Sequence, residues 1–309
     1  MRLIFVGTPA TAVPVAERLT RDHEVCAVLT RPPAAQGRSS RLVPSEVEEW
    51  ALDHGIEILH PATLRDSGVV ARIRQIAPDC CPVVAYGGLI TRELLAIPEF
   101  GWINLHYSLL PAYRGAAPVQ RALLDGCTTT GVTVFRIVPA LDAGPVFVQQ
   151  PVEVDPLQTA GDLLSELSLI GADAMVDALD MARQGRDPVP QSAEGVCLAP
   201  KITPEEARLD LADPAQRLLN VIRAMSPEPG AWLTLDGQRF KILRAAIAPA
   251  PIGVADDAAP GYLWATKKKL FCRVCDGWME LIEVQAQGKK PMPGADWARG
   301  AWREGACCE

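Results

Sequence analysis

The segment Ile103–Pro118 carries the chain's most concentrated chemistry. It begins as an apolar strand that places Asn104 and His106 two residues apart, on one face by the two-residue strand period. An amide and an imidazole presented together can donate hydrogen bonds to an oxyanion as it develops. The strand then runs into a turn punctuated by Pro111 and Pro118. In an open parallel sheet, ligands bind beyond the carboxyl ends of the strands, which is where this segment stops. A lone histidine there is more often half-buried and satisfied than reactive. The loop Pro139–Pro145 changes that balance, because it sets Asp142 in a turn between two strand-like runs. A carboxylate that accepts from one imidazole nitrogen fixes the tautomer and supports the charged ring.

These residues need a scaffold, and the flanking pattern predicts one. Strand-like runs at 2–6, 24–29, 57–59, 80–85 and 102–105 alternate with helical runs at 10–20, 46–54, 64–76 and 117–124. Ser45, three residues before Glu48, reads as a helix cap. Runs at 132–138 and 146–154 pair with each other, and apolar positions stepping by three and four predict a helix over 160–183. Such alternation predicts βαβ units and a Rossmann-like, mostly parallel sheet with helices on both faces. Pro82 is unexpected inside a strand, because proline removes a ladder donor.

Past residue 184 the composition turns to Pro, Gly, Ser and Glu, and the periodicity changes. One amphipathic helix, 214–225, precedes hairpins flanking Asp236-Gly237 and Asp276-Gly277. The expectation is an α/β catalytic domain over 1–189, a linker over 190–206, and an antiparallel OB-like β-barrel over 207–309. Two domains also suit 309 residues.

Composition narrows the function classes. The chain carries −7 overall, which excludes a generally basic nucleic-acid binder. Residues 208–309 nevertheless hold 14 Lys/Arg against 12 Asp/Glu, including Lys267, Lys268, Lys269, Lys289 and Lys290. A Pro/Gly/Ser/Arg loop over 31–45 adds Arg31, Arg38 and Arg41. No apolar run approaches the ~18–20 residues of a membrane helix, so a cytoplasmic protein is expected. Nine cysteines in a reducing compartment are read as free thiols. No metal site is expected from Cys272/Cys275, and Cys307-Cys308 is read as part of a frayed tail. Gly7-Thr8-Pro9 lacks the second and third glycines of a dinucleotide fingerprint.

The runs NLHYSLLPAYRGAAPVQRAL and LDAGPV resemble the folate-dependent formyltransferases, whose marker is an Asn-x-His strand, Ser-Leu-Leu-Pro and a later Asp. FVGTP, VVAYG, KITPEEARLD and the closing APG…GKKPM…RG extend the resemblance over nearly the whole chain, toward the branch that acts on tRNA. The resemblance implies transfer of a formyl group from 10-formyltetrahydrofolate to the α-amino group of methionine on initiator methionyl-tRNA, without a metal; nothing in the sequence demands more than a monomer. It implies Asn104, His106 and Asp142 as the catalytic trio. It implies Ser108, Leu109, Leu110 and Pro111 at the folate and Arg38 at the tRNA, and the local positive charge of Arg41, Lys267–Lys269, Lys289 and Lys290 makes these the further expected tRNA contacts. Siblings acting on amino-sugar nucleotides or purine precursors, and a non-catalytic binder of tRNA or folate, are the rival readings. A purine-type enzyme has no need of the barrel, and an intact trio argues against the non-catalytic case. Three positions depart from the family pattern: Pro33-Ala34 where it has Asp-Arg, and Tyr107 where it has a small residue.

Overall fold

A computed structural model describes residues 1–35, 42–254 and 258–309. It divides into two compact units. The first comprises Met1–Pro118, Thr129–Glu153 and Leu164–Pro200, and the second Val119–Thr128, Val154–Leu163 and Lys201–Glu309. The stretch expected as a linker is therefore divided between the two.

The first unit's strands, in chain order, are β1 (Arg2–Gly7), β2 (Glu24–Leu29), β3 (Glu57–Leu59), β4 (Cys81–Val84), β5 (Trp102–His106), β6 (Thr129–Arg136) and β7 (Val146–Glu153). They form one sheet in the order β7-β6-β5-β4-β1-β2-β3. The five strands from β5 to β3 run parallel, whereas β6 is antiparallel to both its neighbours. Helices α1 (Val13–Leu19), α2 (Glu46–Asp53) and α3 (Ser67–Ile76) make the crossovers. Ser45 caps α2 as expected, accepting from the Glu48 N–H at 3.1 Å. The order reverses between β1 and β4, so the carboxyl ends around that switch point form a natural crevice. Pro82 sits in β4 between two neighbours, and the ladder adapts to it. Leu3 bridges Cys80, and pairing with β1 resumes only at Val6 and Val83. Ile4, Val6, Ala27, Leu29, Ile73 and Trp102 fill part of the core on this sheet.

The next helices are α4 (Arg92–Leu95), α5 (Pro118–Leu124), α6 (Ala160–Arg183) and α7 (Ala215–Met225). The second unit is built on β8 (Ala231–Leu235), β9 (Gln238–Ala248), β10 (Leu263–Ala265), β11 (Leu270–Val274) and β12 (Gly277–Ala286). These pair in the order β8-β9-β12-β11-β10. Asp236 and Gly237 both take positive φ, 50° and 73°, as a two-residue hairpin turn requires. The second hairpin differs from expectation. Val274 pairs with Gly277, so Cys275 and Asp276 form the turn. Asp276 instead accepts from the Ala215 N–H at 2.8 Å, capping α7, whose own Pro214 offers no side-chain cap.

The carboxyl-terminal tail is not frayed. Leu235 at the end of β8 bridges Cys308, and Tyr262 just before β10 bridges Cys307. Thr234 and Glu309 exchange two backbone bonds at 2.7 Å, and the Cys308 N–H reaches Gly261 C=O at 2.8 Å. The tail thus joins the sheet's two outer edges and closes it into a barrel. Closure removes the exposed edge groups that free strands leave unpaired. Cys308 is 2% exposed, and burial pushes its thiol up to about 12. Cys272 is buried and shifted upward for the same reason, so both behave as small apolar core residues.

Within this unit Asp162 and Arg244 pair at 2.7 Å. Asp162 also accepts from the Thr159 N–H and hydroxyl at the start of α6, and with Arg244 these contacts hold its carboxyl at about 2. The stabilisation is full above the unfolded pKa near 4 and disappears as pH falls through 2. Both side chains are more than a third exposed, so solvent screening reduces the worth of the pair to about 1 kcal/mol. Arg244→Ala should cost that much in urea unfolding at pH 7, and markedly less at pH 2. An equal loss at both pH values would assign the effect to packing.

Candidate active site

Strand β5 delivers Asn104 and His106 to its carboxyl end on one face, as the two-residue period predicts. Asn104 is partly exposed and its amide has no hydrogen-bond partner among the described residues. It is free to donate to an incoming oxygen. His106 is 6% exposed, with the Phe135 ring edge-on at 6.5 Å. Its Nε2 lies 2.8 Å from the Tyr113 C=O, which can only accept, so Nε2 carries the hydrogen. Nδ1 therefore faces Asp142, with 3.9 Å to Oδ2. That separation is an electrostatic contact and not a hydrogen bond. The carboxylate accepts instead from the Gly115 N–H at 2.8 Å. Burial lowers the His106 pKa, opposed by Asp142 and by the Tyr113 carbonyl. The ring is neutral at pH 7, and a second proton on Nδ1 would meet a carboxylate already in place.

The Asp142 loop is tight. Asp142 itself has φ 44°, and a Cβ on Gly144 would lie 1.7 Å from the Arg136 carbonyl oxygen. Only glycine fits there. Tyr107, on the opposite face of β5 from His106, is buried and donates to Thr11 C=O at 3.1 Å, with Ser168 Oγ at 3.3 Å. It packs, as its strand position implies.

The turn Ser108–Pro111 follows β5 after Tyr107. Leu110 is buried, whereas Leu109 and Pro111 are partly exposed. Ser108 is fully buried and its hydroxyl donates to Ala112 C=O at 2.7 Å. Its side chain therefore shapes the turn from within. Sequence reasoning missed the residue that fixes this turn, Thr133 on β6, opposite His106 in the register. The Thr133 hydroxyl donates to Ser108 C=O at 2.6 Å and accepts from the Leu110 N–H at 3.1 Å. Gln149 bridges the Thr133 hydroxyl and Leu110 C=O, at 3.1 and 2.8 Å. Nothing in the local pattern distinguishes Thr133 or Gln149 from ordinary strand residues. Thr133→Val removes the hydroxyl and leaves a buried donor and acceptor unmatched, at about 1–3 kcal/mol each. It should lower Tm in thermal unfolding; a variant with the wild-type Tm would rule out this support.

Arg38 and Arg41 lie outside the described residues. The lysines are all in the second unit and all exposed. Lys267–Lys269 occupy the β10–β11 turn, and Lys289 and Lys290 follow β12. The strand registers put both groups at one end of the barrel, with the Asp236-Gly237 turn. Lys269 pairs with Glu280 at 2.6 Å; the other four have no carboxylate partner among the described residues. Beside them on β9, unanticipated as a group, Arg239 stacks 4.1 Å over the Trp232 ring, with Arg208 at 5.7 Å.

No helix among the described residues is long and apolar enough to cross a membrane. Comparison with known proteins places the chain in a family. The formyl transferase profile matches residues 1–179, and the formyl transferase C-terminal domain profile matches 201–301. The methionyl-tRNA formyltransferase of Streptomyces coelicolor is 50% identical over 304 residues, covering 97% of each chain. That of Mycobacterium avium is 46% identical over 311 residues, 97% of this chain and 96% of the other. Among solved structures, HypX from Aquifex aeolicus in complex with tetrahydrofolic acid aligns with TM-score 0.68 at 18% identity, over 100% of this chain and 50% of that one. The N-formyltransferase of Helicobacter canadensis aligns with TM-score 0.65 at 16% identity, over 92% and 98% of the two chains. These two likenesses bear on fold alone. With both profiles matched and half of all residues identical to curated relatives along the full length, the chain belongs to the formyl transferase family.

Proposed function

We propose that this chain transfers the formyl group of 10-formyltetrahydrofolate to the α-amino group of methionine on initiator tRNA, at the start of protein synthesis. One observation carries the reading: an uncommitted Asn104 amide beside a buried, neutral His106 backed by Asp142, in a chain whose relatives at this identity are methionyl-tRNA formyltransferases.

The amine nitrogen attacks the formyl carbon, forming a C–N bond and a tetrahedral oxyanion. Asn104 donates to that oxygen. The attacking nitrogen must shed a proton, which neutral His106 accepts, and Asp142 then stabilises the imidazolium. The same proton goes to the departing folate nitrogen as its bond to carbon breaks. The turn at 108–111 borders the folate, through its backbone and the partly exposed Leu109 and Pro111. The lysine-bearing end of the barrel, with Arg239 and Arg208 on Trp232, contacts tRNA phosphates, together with Arg38 and Arg41. The protein acts as a monomer in the cytoplasm.

The test is a formyl-transfer assay with purified protein, 10-formyltetrahydrofolate and methionyl initiator tRNA, against uncharged tRNA, free methionine and amino-sugar nucleotides. Formylation confined to the charged tRNA is expected. Transfer to an amino-sugar nucleotide alone would overturn the reading. Neutralising Lys267 and Lys268 should raise KM for tRNA and flatten its logarithmic salt dependence by about one unit for each phosphate that is no longer neutralised, leaving folate affinity unchanged. An unaltered salt slope would move the tRNA to another face.

A further inference from the structure

Residues 189–199, which read from composition as linker, return to the catalytic loop and bind it. Val189 and Val146 exchange two backbone bonds, at 2.7 and 2.8 Å. The Arg114 N–H donates to Cys197 C=O at 2.9 Å, and Arg114-Gly115 pairs in parallel with Leu198-Ala199. A Cβ on Gly115, at φ 129°, would meet the Ala199 oxygen at 2.7 Å, so this approach also requires glycine.

Gln191 is the side chain that turns this strap into a clamp. Its Nε2 donates to Asp142 C=O and to Gly144 C=O, each at 2.8 Å. Both amide hydrogens are thereby used on the two carbonyls that bracket Ala143. Its Oε1 accepts from Arg114 Nη2 at 2.6 Å. The next residue, Gly115, donates its N–H to Asp142 Oδ2. The bonds form a ring: Arg114 holds Gln191, Gln191 holds the Asp142 backbone, and Gly115 holds the Asp142 carboxylate. Asp142 has a left-handed backbone, which its neighbours must enforce because an L-residue does not prefer it.

We propose that Gln191 is a positioning residue for formyl transfer, fixing the Asp142 carboxylate relative to His106 Nδ1. The inference rests on the reading given under Proposed function. At 3.9 Å the Asp142–His106 contact has no hydrogen bond to hold its geometry, so placement depends on the loop backbone and on the Gly115 N–H. The hydrogen bonds of the Gln191 side chain go to Arg114, Asp142 and Gly144 and not to the imidazole, so it acts through Asp142.

Gln191→Met keeps the side chain's bulk and removes its donors and its acceptor. It should lower kcat by about 10-fold to 100-fold, the scale of a small displacement at a reacting centre, with KM for folate and tRNA within about twofold. Asp142 raises the His106 pKa, so loosening Asp142 should move the acid limb of the kcat–pH profile to lower pH. In an Asp142→Asn background, Gln191→Met should have no further effect on kcat. Gln191→Glu, which retains an acceptor for Arg114 but no donors for the loop, should behave like Gln191→Met and replaces it if that variant does not fold. A folded variant with the wild-type kcat and pH limb overturns the inference, as does an undiminished loss in the Asp142→Asn background. Wild-type protein that transfers no formyl group would instead overturn the functional reading, so the two failures are distinguishable.

Discussion

Asn104→Ala is expected to lower kcat by about 10²–10³, equivalent to about 3–4 kcal/mol of transition-state stabilisation. The size follows from the side chain's situation. Its amide has no protein partner among the described residues and sits at the carboxyl end of β5, so its donors are available only to a ligand. A group whose interactions are made with developing charge contributes to kcat, and KM should change little. Because the side chain makes no hydrogen bond among the described residues, the variant should keep its Tm. Steady-state kinetics with both substrates, beside thermal unfolding, check the expectation. A variant with unchanged kcat would remove Asn104 from the chemistry.

His106→Ala should cost about 10²–10⁴ in kcat, the range for a positioned acid–base group. Asp142→Asn should cost less, about 10-fold to 100-fold, because at 3.9 Å the carboxylate stabilises a transient charge and does not itself transfer the proton. An ion pair near 4 Å is worth about 4 kcal/mol at an effective dielectric of 20, and part of that is already offset by the Gly115 N–H. The pH dependence separates the two roles. Burial keeps the His106 pKa below 6.5, so wild-type kcat should hold through neutral pH and fall only when His106 protonates in the resting enzyme. Asp142→Asn removes a group that raises that pKa, so its acid limb should lie at lower pH than the wild type's. A limb that moved upward would mean that Asp142 does not face the imidazole during catalysis.

The strand period alone put Asn104 and His106 on one face, because alternation is a property of four or five adjacent residues. Helix phasing gave α6 its bounds, and Asp236-Gly237 announced its turn through backbone preferences local to two residues. Asp142 was legible as an acidic turn between strands, but its work was not. It was expected to accept from the imidazole, and instead its carboxylate is held by Gly115, 27 residues earlier in the chain. Thr133, Gln149 and Gln191 look ordinary in sequence, since a hydroxyl or amide acquires its importance from the carbonyls it meets. Those carbonyls belong to segments brought alongside by sheet register and by the return of residues 189–199. The closed barrel had the same origin: Cys307-Cys308 seemed a loose end until both sheet edges required a partner. Local periodicity and turn chemistry thus determined the elements, the sheet class and the face carrying the reactive pair. Tertiary structure decided which distant donors hold that pair's surroundings, because hydrogen-bond partners across dozens of residues leave no periodic trace.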